Sequence, residues 1–540
     1  MRGAKSAKWV AGAIAVGLAA TACGGSSDSG SGGGEVDPNG IFKMQGGEPQ
    51  NPLVPTSTME TNGAYIAMTV FDQLTGYDSK GKLTMENAES VESKDNKTWT
   101  VKLKPDYTFH DGTPVTSDSY VDAWNWAANP KNNQTQASWF SDIKGFADVH
   151  PEKGDPKADK LAGLKVVDDT TFTIELNNPM PAFAYKLGYY AFSPQPKSFY
   201  KDPKAAGQKP VGNGAYKFVS WEHNKQIEIK KYAKYQGPNQ AKNGGVIFKN
   251  YTKLEAAYED LQSGNVDSMT QLAPRDLAKY KDDLGDRAID QPYSATQTIV
   301  PAFYGKQFKD VDPKVLQGLS MAIDRDTITK TVLQGTRVPA TGFVPSTVFG
   351  YQKNAAGDVT KYNPKKAKQL IKAGGGVPQN KISIQYNADG GHKEWVDAVC
   401  NSIRQAVKVE CTGAAKTTFQ ADTKARDAKE VKSMYRSGWV QDYPLNMNFM
   451  QDLYGTGRAG NQSDFSSKKV DDMMAKADSA KDLDASVKAY QQVEKELVKE
   501  MPAIPLWDQK VNSGYSENVQ NVEFDQHGDP VFHQVEVLKK

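Results

Sequence analysis

The chain has 540 residues, 38% of them apolar and 24% charged, with 46 Gly and 28 Pro. Those are values for a globular protein of about three to four folding units, which excludes collagen-like, coiled-coil and wholly disordered chains. Lys plus Arg number 66 against 64 Asp plus Glu, a formal charge of +2, and no long basic run occurs, so no nucleic-acid partner is expected. Three Cys are too few for a disulfide scaffold and leave little for a thiolate metal site.

Residues 1–22 read as an export signal. Arg2, Lys5 and Lys8 precede an apolar run over 9–20 broken only by Gly12 and Gly17. That run is shorter than the roughly 20 residues of a membrane span, and small residues follow it. Leu18-Ala19-Ala20-Thr21-Ala22-Cys23 resembles a bacterial lipobox, with Ala20 where Leu is commoner. The expectation is cleavage before Cys23 and lipidation of its thiol; the alternative is plain cleavage that leaves the thiol free. Removing three positive charges and no acid turns the formal charge from +2 to −1. Residues 23–34 then form a tether, Gly and Ser almost throughout, of flexible-coil composition. The layout is that of a lipid-anchored protein on the extracytoplasmic face of the cell membrane.

The body alternates strands and helices. Trp99, Val101 and Leu103 alternate with polar residues over 98–104, as do Phe172, Ile174 and Leu176 over 171–176, which predicts two half-buried strands. Leu254, Tyr258 and Leu261 share a helical face over 254–263, with Gly264 as the stop. Asp312-Pro313 opens a helix that buries Val315, Leu319, Ala322 and Ile323. Trp395, Val396, Val399 and Ile403 recur at helical spacing over 394–407, and a strand over 407–412 follows. An oxidising compartment favours a disulfide between Cys400 on that helix and Cys411 on that strand; two buried free thiols are the alternative. Val487, Tyr490, Val493 and Leu497 line a last helix that must end near Pro502. The interspersed elements indicate an α/β or α+β protein, and no fixed-period repeat points to a solenoid.

Enzyme signatures are missing: the sequence contains no HExxH, CxxC, GxSxG or GxxxxGK[ST]. The six His, at 110, 150, 223, 392, 527 and 533, lack metal-ligand spacing. Gly455-Thr456-Gly457-Arg458-Ala459-Gly460 satisfies GxGxxG, but an irregular polar stretch precedes it and no amphipathic helix follows. A loop is expected there rather than a dinucleotide site. Neither a metal nor a cofactor is expected.

Five blocks carry a family resemblance. They are WTVKLKPDYTFHDGTPVTSDSYVDA at 99–123, PVGNGAYKFVSWEHNKQIEIKKY at 210–232, SGNVDS at 263–268, SMAIDR at 320–325 and GWVQD followed by Tyr443-Pro444 at 438–442. In this order they resemble the blocks of the extracytoplasmic peptide-binding proteins of bacterial ABC importers, the dipeptide/oligopeptide/nickel-binding family (extracytoplasmic family 5). The resemblance implies an α/β, two-lobed periplasmic-binding-protein-like fold with a hinge and an extra inserted subdomain. Lobe I would comprise 35–70, 193–290 and 508–540, the insertion 71–192 and lobe II 291–507, with crossings near 290 and 508. It also implies a monomer that captures a peptide between its lobes and delivers it to ABC permease subunits.

A zwitterionic ligand needs an opposite charge at each end, because an unpaired buried charge is costly. By resemblance, Asp442 pairs with the peptide ammonium; its alternative role is to cap the Asp442-Tyr443-Pro444 turn. Trp439 matches an aromatic beside the pocket, or serves the core. Arg436 matches a position that reaches a peptide carboxylate, where a guanidinium can pair bidentately, or is a solvated or ion-paired strand residue. His392 matches a position that meets the carboxylate of longer peptides, or is merely solvated. Where some relatives carry a pocket Trp after the Cys411 strand, this chain has Ala415-Lys416-Thr417-Thr418-Phe419, so side-chain preference does not carry over. An oligosaccharide, a metal chelate or a signalling peptide are alternative cargoes.

Overall fold

A computed structural model describes residues 34–78, 81–151, 153–273, 275–458 and 460–539, and the architecture below belongs to Val36–Lys540. The signal, Cys23 and nearly all of the tether lie outside the described residues. Period-two patterning forms strands as expected. Thr98–Leu103 buries Trp99, Val101 and Leu103 and exposes the polar residues between them. Thr171–Glu175 buries Phe172 and Ile174, with Leu176 buried one residue past its end. The two pair at the centre of an antiparallel four-stranded sheet, between Ala88–Ser93 and Leu164–Asp168. Helix Ser117–Ala128 lies on it through Tyr120 and Trp124, both against Phe172. The turn leading to that helix needs a glycine: Gly112 has φ +86°, while the Asp111 carboxylate accepts the Thr113 N–H and hydroxyl.

An eleven-stranded mixed sheet makes up the rest of the frame. Its order is Glu410–Lys416, Lys381–Asn387, Met434–Val440, Ala288–Pro301, Ile504–Tyr515, Ser268–Met269, Ile41–Gly46, Gly245–Asn250, Gln226–Lys231 and Tyr216–Glu222, with Arg337–Pro339 added beside Ile504–Tyr515. Two long strands, Ala288–Pro301 and Ile504–Tyr515, connect its two ends. Positions 290 and 508 fall within them, and their ladder shifts register between Pro292 and Thr296, where proline removes a donor.

Helix Leu254–Gln262 stops at Ser263, with Gly264 left-handed at φ +73°. Helix Pro313–Met321 starts on Asp312, whose carboxylate accepts the Lys314 N–H, and Ala322 and Ile323 are buried just past its end. Helix Leu483–Glu500 buries the expected four side chains and ends at Met501, one residue before Pro502. One boundary differs. The strand expected over 407–412 begins only at Glu410, because helix Lys393–Val407 keeps Val407 and Lys408 turns the chain in the left-handed region. Cys400 and Cys411 are joined by a disulfide across a Cα–Cα distance of 4.9 Å.

The apolar cores separate by segment. Phe42, Tyr65, Phe248, Val511 and Phe532 belong to one cluster, and Trp99, Trp124, Phe172 and Phe192 to a second. A third gathers Leu316, Ile384, Trp395 and Trp507, and a fourth Tyr443, Phe449, Tyr490 and Leu497. Ala182 and Tyr185, placed by the resemblance in the insertion, pack with that fourth cluster.

Candidate functional site

Strand Met434–Val440 carries two of the expected site residues and delivers the chain to a third. Its seven residues pair antiparallel with Ala295–Pro301, which fixes Arg436 opposite Ile299 and Trp439 opposite Thr296. Past the strand end, Asn448 fastens the chain. Its Oδ1 accepts the Trp439 indole N–H at 3.0 Å and the Asp442 backbone N–H at 2.9 Å, and its Nδ2 donates to Asp442 Oδ2 at 2.9 Å. One buried amide thus sets both the indole and the carboxyl. Leu445 and Asn446 give their N–H groups to the Tyr443 and Phe349 carbonyls, so neither is capped by Asp442. Burial pushes the Asp442 carboxyl up to about 7, against the Asn448 hydrogen bond and the His527 and Lys186 charges. Lys186 itself is bound by Asp142.

Arg436 and His392 meet in a second group. Arg436 donates to Asn387 Oδ1, and its guanidinium lies 5.4 Å from the Phe419 ring centre. Burial, aided by the Arg426 charge, lowers its pKa to about 10, which leaves it cationic near neutrality. His392 Nδ1 accepts the Trp395 indole N–H at 3.0 Å. Burial and the Arg436 charge push its imidazole down to about 4, so it presents a neutral ring. Within this group Arg436 is cationic and His392 neutral.

A cavity of roughly 1500 Å³ is bordered by Asp442 and by Tyr77, Tyr189 and Tyr190 of the 71–192 segment. Tyr189 stacks on Trp139 at 4.0 Å, and its hydroxyl bonds to that of Tyr190, which passes on to the Thr58 carbonyl. Of the four expected residues only Asp442 borders this cavity. Trp439 and His392 adjoin the lining residues Val440 and Gly391 in the chain, and Arg436 lies farther back on its strand. The Gly455–Gly460 motif follows the short helix Gln451–Tyr454, not a strand, and the next helix begins at Lys468. Among the described residues no group of three or more His, Cys, Asp or Glu could hold a metal ion. No helix among them is long and apolar enough to cross a membrane.

The model of the family described as bacterial extracellular solute-binding proteins, family 5, matches residues 82–461. The chain belongs to this family. The oligopeptide-binding protein OppA of Bacillus subtilis is 24% identical over 516 residues, covering 91% of this chain and 92% of that one. The periplasmic murein peptide-binding protein MppA of Escherichia coli is 27% identical over 467 residues, covering 84% and 85%. The crystal structure of Haemophilus influenzae OppA in complex with RPPGFSPFR superposes with a TM-score of 0.78 at 24% identity, over 94% of this chain and all of that one. The fold is therefore the two-lobed α/β architecture of periplasmic binding proteins. These relatives are binding proteins, not enzymes.

In this solute-binding protein several residues at or beside the cavity escape sequence reasoning. Asn448 lies in a short 3₁₀ turn, Asn446–Phe449, with no periodic signal. Tyr189-Tyr190 belongs to none of the motifs quoted from the sequence. The loop at 525–529, DQHGD, is the exception: three chargeable residues in five are visible in the sequence and line the cavity.

Proposed function

We propose that the chain is a lipid-anchored receptor that captures peptides between two lobes and hands them to the permease of an ABC importer. The observation that carries the reading is Asp442. Its carboxyl borders the cavity with a neutral amide as its hydrogen-bond partner, suited to a cation brought by the ligand. Arg436, held by Asn387 farther down the same strand, suits a carboxylate. The names of the relatives support a peptide, among them oligopeptide-, murein peptide- and dipeptide-binding proteins. The separation of the Phe42, Tyr65, Phe248 and Phe532 cluster from that of Leu316, Ile384 and Trp395 supports lobe I as 35–70, 193–290 and 508–540 and lobe II as 291–507. The insertion would then be 71–192, set between pieces of lobe I and touching lobe II through Ala182 and Tyr185. The long strands through 290 and 508 would flex as the lobes close.

The test is mass spectrometry of small molecules released when the protein, purified without denaturation, is unfolded. Peptides are expected. Oligosaccharides or metal chelates in their place would overturn the reading. For the anchor, Cys23→Ala is expected to move the protein from the membrane fraction to the medium, since stable attachment needs more than one acyl chain. Retention of the variant in the membrane fraction would end the lipoprotein assignment.

A further inference from the structure

The cavity is far more acidic than the chain that forms it. The sequence is close to neutral, yet the described lining includes ten carboxyl groups against two permanent cations, Arg337 and Lys510. It also includes the His527 imidazole, which, against burial, the Asp525 hydrogen bond and charge raise to about 9. Lys510 is engaged by Asp290, which is not part of the lining, and Arg337 donates to the Thr336 carbonyl. Several acids rest on neutral groups. Asp72 accepts the Tyr235 hydroxyl at 3.0 Å, Glu86 accepts the Asn239 amide at 3.0 Å, and Glu60 caps the Gly63 N–H at 3.0 Å. Lys104 reaches Glu86, but its ammonium is spent on the Met85 and Glu86 carbonyls. On the 525–529 loop, Asp525 holds the loop through the His527 and Asp529 N–H groups, with the His527 imidazole 3.7 Å from its carboxylate. Burial and the Asp525 charge hold the Asp529 carboxyl well above its usual range.

A second, independent feature lies beside Asp442. Gln441 is 3% exposed and borders the same cavity, yet neither its Nε2 nor its Oε1 has a hydrogen-bond partner among the described residues. A buried amide with both ends unmet is costly, and a peptide unit supplies the N–H and C=O that would complete it.

We infer that the site selects cationic peptides, with Gln441 bonded to a peptide unit next to Asp442 and the acidic wall, including Asp72, Glu86, Asp525 and Asp529, receiving Lys or Arg side chains. The inference rests on the peptide-binding reading. A polyamine would satisfy the wall but not the Gln441 amide.

Calorimetry with Ala-Ala-Ala-Ala, Ala-Lys-Lys-Ala, Ala-Glu-Glu-Ala and spermidine tests it. The Lys peptide is expected to bind at least about tenfold tighter than the all-Ala peptide, with the Glu peptide weakest. Raising the salt from about 0.01 M to 1 M should compress that order, as screening weakens the field. Asp525→Asn with Asp529→Asn should narrow the gap between the Lys and all-Ala peptides. Gln441→Ala should weaken all three peptides alike, by roughly five- to tenfold. Equal affinities for the three peptides, or a tighter Glu peptide, would overturn charge selection and leave peptide binding standing. Spermidine binding as tightly as the Lys peptide would overturn the role given to Gln441 and the peptide unit. Absence of binding by all three peptides would overturn both readings.

Discussion

Replacing Asp442 by Asn is expected to weaken binding of a free peptide by roughly 30-fold to several-thousand-fold. The variant keeps the shape and an acceptor for the Asn448 amide while removing the charge. A charge-assisted bond is about twice as strong as a neutral one, and its loss inside a closed cleft corresponds to about 2–5 kcal/mol. An N-acetylated peptide should lose affinity for the unaltered protein and lose little more with the variant, because both changes delete the same pair. The raised Asp442 carboxyl adds a pH signature. With Asp442 at about 7, binding an ammonium below that pH must expel a proton, so affinity falls as pH drops, by up to about tenfold per unit. Above about pH 8 the peptide's own amino group loses its proton, so affinity should be greatest between about pH 7 and 8. Asp529 and His527 also titrate in the cavity, and the Asn variant removes only the part of the slope due to Asp442. Calorimetry over the four combinations of protein and peptide, repeated from pH 5 to 9, reads both effects. Full additivity, or an unchanged pH slope in the variant, would sink the ammonium pairing.

What the sequence revealed was local. Alternation placed Thr98–Leu103 and helical spacing placed Leu483–Glu500, because each segment declares its buried face through its own residues. The large sheet was not legible, since its order joins Ile41–Gly46 to Gly245–Asn250 and to Ser268–Met269, a two-residue strand with no pattern to read. The misplaced strand start has the same origin. Val407 suits helix and strand alike, and only the left-handed turn at Lys408 decides between them. At the site, the family resemblance named Asp442, Trp439, Arg436 and His392 and missed the amides that fix them. Asn448 between Trp439 and Asp442, and Asn387 beneath Arg436, act through hydrogen bonds that a single sequence does not encode as spacing. Gln441 stands in the GWVQD block beside Asp442, and its unmet amide is visible only in the fold.

Arg325, the last residue of the SMAIDR block, is expected to matter for stability as much as Asp442 matters for binding. Its side chain is 3% exposed, and no carboxylate bonds to its guanidinium among the described residues. Instead Nε and Nη2 donate to the Pro505 carbonyl at 2.9 and 2.6 Å, and Nη1 to the Ser320 and Thr360 carbonyls at 2.9 and 3.0 Å. Nη2 also donates to the Ser320 hydroxyl at 2.8 Å. One guanidinium thus ties the end of helix Pro313–Met321 to the 360 loop and to strand Ile504–Tyr515, the strand that passes through 508. Two effects compete on removal. Burial pulls the Arg325 pKa down to about 9, so deleting the cation relieves a desolvation cost. Deletion also takes the guanidinium from the Pro505 and Thr360 carbonyls in a site closed to water, at about 1–3 kcal/mol for each group left unmet. Ser320, by contrast, keeps the Ile323 N–H on its carbonyl and the Val359 carbonyl on its hydroxyl. The second effect is the larger, since two carbonyls lose their donors for one cation removed. Arg325→Met, similar in length and without donors, should therefore lower the unfolding free energy by about 3–5 kcal/mol. Arg325→Lys keeps the charge but brings three donors in place of a planar fork of five, and should lose about 1–3 kcal/mol. Urea unfolding of the two variants beside the unaltered protein measures both. A Met variant within about 1 kcal/mol of the original would show that these carbonyls find other partners and that Arg325 does not hold the strand.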